Sequence, residues 1–251
     1  MVHGGIDGFS RLIVYLRCAT NNLSITVEKE FLKAVDLQGL PSRLRCDRGV
    51  ENVRVKEIML QRRGEGRGSV LCGSSVHNQR IERLWKDVRR TVLQYFRNLF
   101  YFMEDCGLLD INNNLDLFCL HWTFLPRINK LLEKFKGGWN NHKLSTCHSK
   151  TPNQLFITGL LNLYGCADAT AVDVFETTAV DPATFGVEDT NVAEPIDDDA
   201  VVVPEAPGPV PAMCLAALAQ RRENIEQGDN NHGIQTFLTF RVIVNEYINT
   251  P

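Results

Sequence analysis

Apolar and polar residues alternate near the N-terminus, where Leu12, Val14 and Leu16 stand two apart within residues 10–18. That is the period of a half-buried strand. With residues 1–8, joined to it through Gly8-Phe9, the stretch predicts a hairpin. The period then lengthens. Val27, Phe31 and Val35 recur at helical spacing after Ser24, a residue type favoured at N-caps, and Gly39 is a stop signal, so a helix is expected between them. Beyond Pro41, SRLRC reads as a strand ending at Asp47. A helix over about 50–61, the loop RRGEGRGS, a short strand near 69–72 and a helix containing Glu82 follow. The order β-β-α-β-α-β-α predicts a layered α/β domain. From 82 to 142, VLQYFRNLFYFMEDCGLL and LDLFCLHWTFLPRINKLLEKFKGGW carry apolar residues three and four apart, which predicts long helices. Pro126 is expected to kink or divide the second. These apolar faces are wider than one sheet requires, so packing among helices or between subunits is expected.

The pattern changes after Gly165. Residues 166–211 are acidic, rich in Ala, Val and Pro and without sustained period, and read as a linker with little order. Helical periodicity returns in 212–251 through MCLAALAQRRENI and IQTFLTFRVIVNEYI, which predicts a small helical segment. The expected organisation is therefore a core with helical extension over 1–165, a linker and a C-terminal segment.

Charge follows the same division. The net charge of −3 conceals +9 up to Gly165 and −12 beyond it. A basic domain joined to an acidic tail hints at nucleic acid, since Lys and Arg neutralise phosphate. The tail either shields that basic surface when DNA is absent or serves solubility, the more economical account. Eight cysteines are scattered without a CxxC pair, so neither a zinc ribbon nor a redox motif is signalled. The start lacks a basic and then apolar leader, and no apolar run approaches the roughly 18 residues of a spanning helix. Reduced thiols and a soluble, intracellular protein are expected.

Two acids carry the candidate chemistry. Asp47 falls at the carboxyl end of a strand, where open α/β sheets place ligands, and Glu82 begins the helix after the next strand. Two carboxylates converging on a basic surface suit a hard divalent cation that shares its shell with phosphate. The bland alternative has Asp47 capping the next helix and Glu82 pairing with Lys86. Spacing alone leaves both open. Trp85, Trp122 and Trp139 read as packing residues rather than base-stacking platforms, and the histidines have no ligand spacing.

RCDRGVEN followed by SVHNQRIERLWKDV, with 34 residues between Asp47 and Glu82, resembles the second half of the D,D(~35)E signature of retroviral-type integrases and related transposases. It is most similar to the integrase core domain proteins encoded by transposon-derived genes. DGFSR, GLPSR, FYFMED, LPRIN and TPNQLF are also similar to that group, while Cys46 stands where serine is usual. The resemblance covers about 1–165. It implies an RNase H-like integrase catalytic core, a mixed sheet with flanking helices, that acts on DNA with Mg²⁺ or Mn²⁺. Asp47 and Glu82 would be catalytic and metal-ligating. Asn78, Gln79, Arg80, Lys86, Arg89 and Arg90 would contact nucleic acid, and Arg62, Arg63 and Arg67 would lie in a loop similar to the mobile active-site loop. A nuclear location, no membrane partner and a homo-oligomer are implied with it. Asp7 is a decoy, because DGFSR matches the strand after the one that carries the first acid. The first strand is therefore expected to be missing, which would leave residues 1–8 and 42–46 without their shared partner. Strand transfer is then expected to be impaired. The alternative is a catalytically inactive, domesticated DNA-binding or protein-interaction module.

Overall fold

The N-terminal alternation forms the expected hairpin. Strand β1 (Val2–Ile6) pairs antiparallel with β2 (Ile13–Cys18), with a bulge between Gly5 and Ile6. Asp7 builds the turn: its Oδ2 accepts the Phe9 N–H at 3.2 Å, the Ser10 N–H at 2.6 Å and the Ser10 hydroxyl at 2.6 Å. Arg11 completes the reversal at φ 64°. A carboxylate so taken up satisfies backbone donors that the turn would otherwise orphan.

This is a computed structural model, and it describes residues 1–73, 78–164 and 232–249 together with Cys214, Ala216, Leu218 and Ala219. The proposed linker at 166–211 lies outside the described residues, as does most of 212–231. The chain divides into two units, one comprising Met1–Asp87 with Glu133–Val202 and the other Val88–Leu132 with Val203–Pro251.

In the first unit, helix α1 (Ser24–Gln38) buries Val27, Phe31, Ala34 and Val35. Ser24 is not its N-cap. Leu23 holds that position without a side-chain bond, and Asn21 does the capping work from two residues upstream, its Oδ1 accepting the Leu23 N–H at 3.2 Å and the Thr26 hydroxyl at 2.7 Å. Gly39 ends the helix at φ 87°, its N–H donating to Val35 O. Strand β3 (Leu44–Cys46) and β4 (Val70–Cys72) then pair in parallel, separated in sequence by a 3-10 turn (Val50–Asn52) and helix α2 (Val53–Arg63). Helices α1 and α2 share one apolar cluster of Val27, Phe31, Val35, Val55 and Met59, against which Tyr15 of β2, Leu44 of β3 and Val70 of β4 pack. Both strand pairs thus lie under one helical layer, giving an α/β arrangement. The expected mixed sheet is resolved instead as two two-stranded sheets, and among the described residues no strand joins them.

Further helices clamp the hairpin. Helix α3 (Gln79–Val88) buries Leu84 and Val88. The end of helix α5 (Asn114–Asn141) brings Trp139, whose indole N–H donates to Arg11 O at 2.9 Å, and Asn140, which bonds both backbone groups of Ile13. Helix α6 (Pro152–Tyr164) reaches Phe9 at Gly159, where an added Cβ would sit 3.0 Å from the ring.

The second unit is helical. A π-helical turn (Arg89–Leu93) leads into α4 (Gln94–Asp105), followed by the first part of α5 and by α7 (Ile234–Asn249). Phe96 and Phe100 each pack edge to face against Phe124, the latter pair with centroids 5.0 Å apart. Phe237 and Phe240 of α7 are fully buried. Arg241 ties α7 to the loop before α5 by donating to Leu108 O at 2.8 Å and to the Asp116 carboxylate at 3.4 Å. Pro126 does not divide α5; the buried Phe124 and Ile128 on either side offset the one hydrogen bond that a proline removes. No helix among the described residues is long and apolar enough to cross a membrane.

Candidate functional site

Asp47 follows the last residue of β3 and is exposed. Its Oδ1 accepts the Gly49 N–H at 3.3 Å and the Asn52 amide at 2.7 Å. These bonds turn the chain from the strand into the 3-10 turn, the capping role of the bland reading, and both fall on Oδ1. Asn52 is shared with a second acid: its Nδ2 also donates to Glu51 Oε1 at 3.1 Å, while Asn22 donates to Glu51 Oε2 at 3.5 Å. Glu51 folds back over Gly49, where any Cβ would run into its carboxylate. Glu51 lies within the RCDRGVEN run, four residues after Asp47 and directly before Asn52, a place that the run itself marks although it assigns the residue no role. His3, buried on β1, receives a charge contribution from Glu51, yet burial dominates and pushes its pKa below the usual histidine value.

Glu82 occupies the first turn of α3, its N–H bonded to Asn78 O at 3.1 Å. A carboxylate there complements the partial positive charge of a helix N-terminus. It is exposed, as are Gln79, Arg80 and Lys86, because the opposite face holds Leu84 and Val88. The expected Glu82–Lys86 pair is not the one formed. Arg83 and Asp87 pair instead at 3.3 Å, with the Arg83 side chain 74% exposed, which contributes little to stability. Trp85 lies half-buried against β1, where a Cβ on Gly4 would be 2.7 Å from its ring. Asn78 is half-buried. Arg89 and Arg90, in the second unit, are exposed at the start of the π-helical turn, a register shift that helical periodicity does not reveal. His77 lies outside the described residues.

Asp47 and Glu82 therefore belong to one unit but to separate elements. Among the described residues, no three His, Cys, Asp or Glu side chains gather to hold a metal ion. Of the three arginines expected in the glycine-rich loop, Arg62 and Arg63 end α2, and Arg63 and Arg67 serve the loop's anchoring. Arg63 donates to Pro41 O at 3.1 Å and to Leu40 O, Arg67 reaches Ser42 Oγ at 3.4 Å, and Gly64, Gly66 and Gly68 take positive φ.

One further pair lies at the strand ends. Cys46 and Cys72 stand opposite each other in the β3–β4 register, with sulfurs 3.8 Å apart. The hydrogen bond between the two sulfurs holds the Cys72 pKa down, with Lys56 adding to the effect, and together with burial pushes that of Cys46 up. None of the described cysteines is in a disulfide.

The family described as integrase core domain matches residues 1–171. No curated protein and no solved structure matches the chain.

Proposed function

Because the chain belongs to the integrase core domain family, we propose that it is a transposon-derived, DNA-binding integrase-type protein whose strand-transfer chemistry is impaired. The observation that carries this reading is the presence, in one unit, of an exposed carboxylate just after β3, Asp47, and of exposed Glu82 on a helix turn that also exposes Arg80 and Lys86. In support of the impairment, the described residues form two separate strand pairs with no strand joining them, and in an RNase H-like fold a central strand would bring the first acid. Asp7 is assigned no part in the site, because it builds the hairpin turn and DGFSR matches the strand after the one that would carry the first acid.

Two carboxylates suit Mg²⁺ or Mn²⁺ only when nucleic-acid phosphate completes the shell, because such ions commonly take one or two carboxylates plus phosphate oxygens and water. By its chemistry, such a donor set suits an ion that keeps phosphate in its shell and not a closed protein cage. Bound there, the ion would polarise a phosphate and stabilise its developing charge. Asp47 and Glu82 would hold it, and Asn52 would fix Asp47 through Oδ1. Arg80 and Lys86, with Arg89 and Arg90, would neutralise phosphates; Asn78 and Gln79 would orient the strand. Nuclear residence and assembly into a homo-oligomer belong to the same reading. A second reading, a catalytically inactive DNA-binding module, is favoured by the capping bonds that already engage one oxygen of Asp47.

The test is DNA binding across a salt series, followed by strand joining on short duplexes in Mg²⁺ or Mn²⁺. Affinity should fall steeply with salt, and Arg80→Ala and Lys86→Ala should each flatten the log–log slope by about 1. No binding at low salt would reject the proposal. Residual joining that Asp47→Ala and Glu82→Ala abolish supports the assigned acids, no joining supports the inactive module, and vigorous joining overturns the impairment.

A further inference from the structure

Cys46 and Cys72 close the two parallel strands that lead into the candidate site. Each is the last residue of its strand, they are paired directly across the ladder, and the Gly73 N–H bonds to Cys46 O at 3.4 Å just beyond them. Neighbouring strands lie about 4.8 Å apart, inside the range of roughly 4.4–6.8 Å between Cα atoms that a disulfide spans. The sulfurs are already in contact at 3.8 Å. Access is asymmetric: Cys46 is buried, while Cys72 is partly open to solvent and has Lys56 beside it. An accessible sulfur next to an ammonium group, backed by a second, sheltered sulfur, is the arrangement of an attacking thiol with a resolving partner.

We propose that Cys46 and Cys72 form a peroxide-sensitive dithiol that closes reversibly to a disulfide across the ends of β3 and β4. The Cys72 thiolate attacks one oxygen of hydrogen peroxide; the O–O bond breaks, and the departing hydroxide takes a proton to become water. The Cys46 sulfur then attacks the resulting sulfenic acid. The S–S bond forms, the S–O bond breaks, and the hydroxyl leaves as water with the Cys46 proton. Two thiols lose two electrons in all, and the peroxide is reduced to two waters. The disulfide would pin the strand end from which Asp47 emerges to the strand that precedes α3. Cys46 stands where the family pattern has serine, so the device belongs to this chain rather than to the fold. It does not depend on the chain acting on DNA.

The full chain, reduced and desalted, is exposed to a small excess of hydrogen peroxide, alkylated, digested with trypsin and mapped by mass spectrometry. The expected product joins the 46–48 peptide to the 68–80 peptide, disappears on treatment with dithiothreitol, and carries most of the Cys72. In Cys46→Ser the link is lost and a dimedone adduct appears on Cys72. The exposed Cys106 is the internal control. If Cys46 and Cys72 both emerge alkylated under peroxide that oxidises Cys106, or if Cys72 links to another cysteine, the proposal is overturned. The wild-type chain alone decides the question, so a poorly folded variant does not blunt it.

Discussion

Replacing Asn140 with alanine should weaken the first unit by about 2–4 kcal/mol. Its Oδ1 accepts the Ile13 N–H at 2.9 Å and its Nδ2 donates to Ile13 O at 3.1 Å. One side-chain amide thus supplies the donor and the acceptor that a neighbouring strand would offer to this edge of β2. Ile13 is fully buried, so truncation orphans two backbone groups. Each buried, unsatisfied group costs roughly 1–3 kcal/mol. Asn140 itself retains 9% exposure, enough for water to reach part of the vacated space, which places the sum in the lower half of the range. Set against a typical stability of about 5–15 kcal/mol, the loss is large. Urea unfolding of wild type and Asn140→Ala, followed by tryptophan emission, should show a lower midpoint at similar slope. Trp139 is next in sequence and bonds Arg11 O, so its signal reports the same joint. Hydrogen exchange at the Ile13 amide supplies a local measure. A loss below about 1 kcal/mol with Ile13 still protected would refute the strand-substitute argument.

Two further outcomes are expected. Burial holds His3 below its usual pKa of 6.5, outweighing the contrary pull of the Asn21 carbonyl, Glu51 and Glu30, while the N-terminal ammonium adds to the lowering. The unfolded chain therefore binds the extra proton first, and stability is lost as pH falls below that value toward the folded pKa. His3→Gln should flatten the melting temperature between about pH 7 and 5, and an unchanged pH slope would discard His3 as the cause. Gly4→Val places a Cβ 2.7 Å from Trp85 and 3.1 Å from Leu16. It should displace Trp85 on the helix that carries Glu82, shift its emission and cost about 1–3 kcal/mol; unaltered emission and stability would show that the contact yields freely.

Local chemistry made much of this protein legible before folding. Apolar alternation around Leu12, Val14 and Leu16 marks the region of β2, although Ile13 on the opposite face is buried as well as Leu16, and helical spacing at Val27, Phe31 and Val35 marks α1, where all three are buried together. Gly39 ends α1 because few other residues tolerate its backbone angles. The run around Asp47 and Glu82 announced the family, which the match over residues 1–171 shows. Where an interaction is made across the chain, sequence was silent. Asn140 is an ordinary helical polar residue until Ile13, 127 positions away, presents its backbone. The capping of α1 by Asn21 in place of Ser24 turned on the path by which the chain entered the helix. Two cysteines 26 residues apart carry no motif, yet parallel register sets their sulfurs in contact. That strands at 1–8 and 42–46 share no partner was anticipated from the resemblance, whereas the parallel pairing of β3 with β4 was decided in three dimensions. Periodicity and turn chemistry are written into neighbouring residues and survive in one dimension, whereas edge satisfaction, thiol proximity and strand partnership depend on which distant backbones meet.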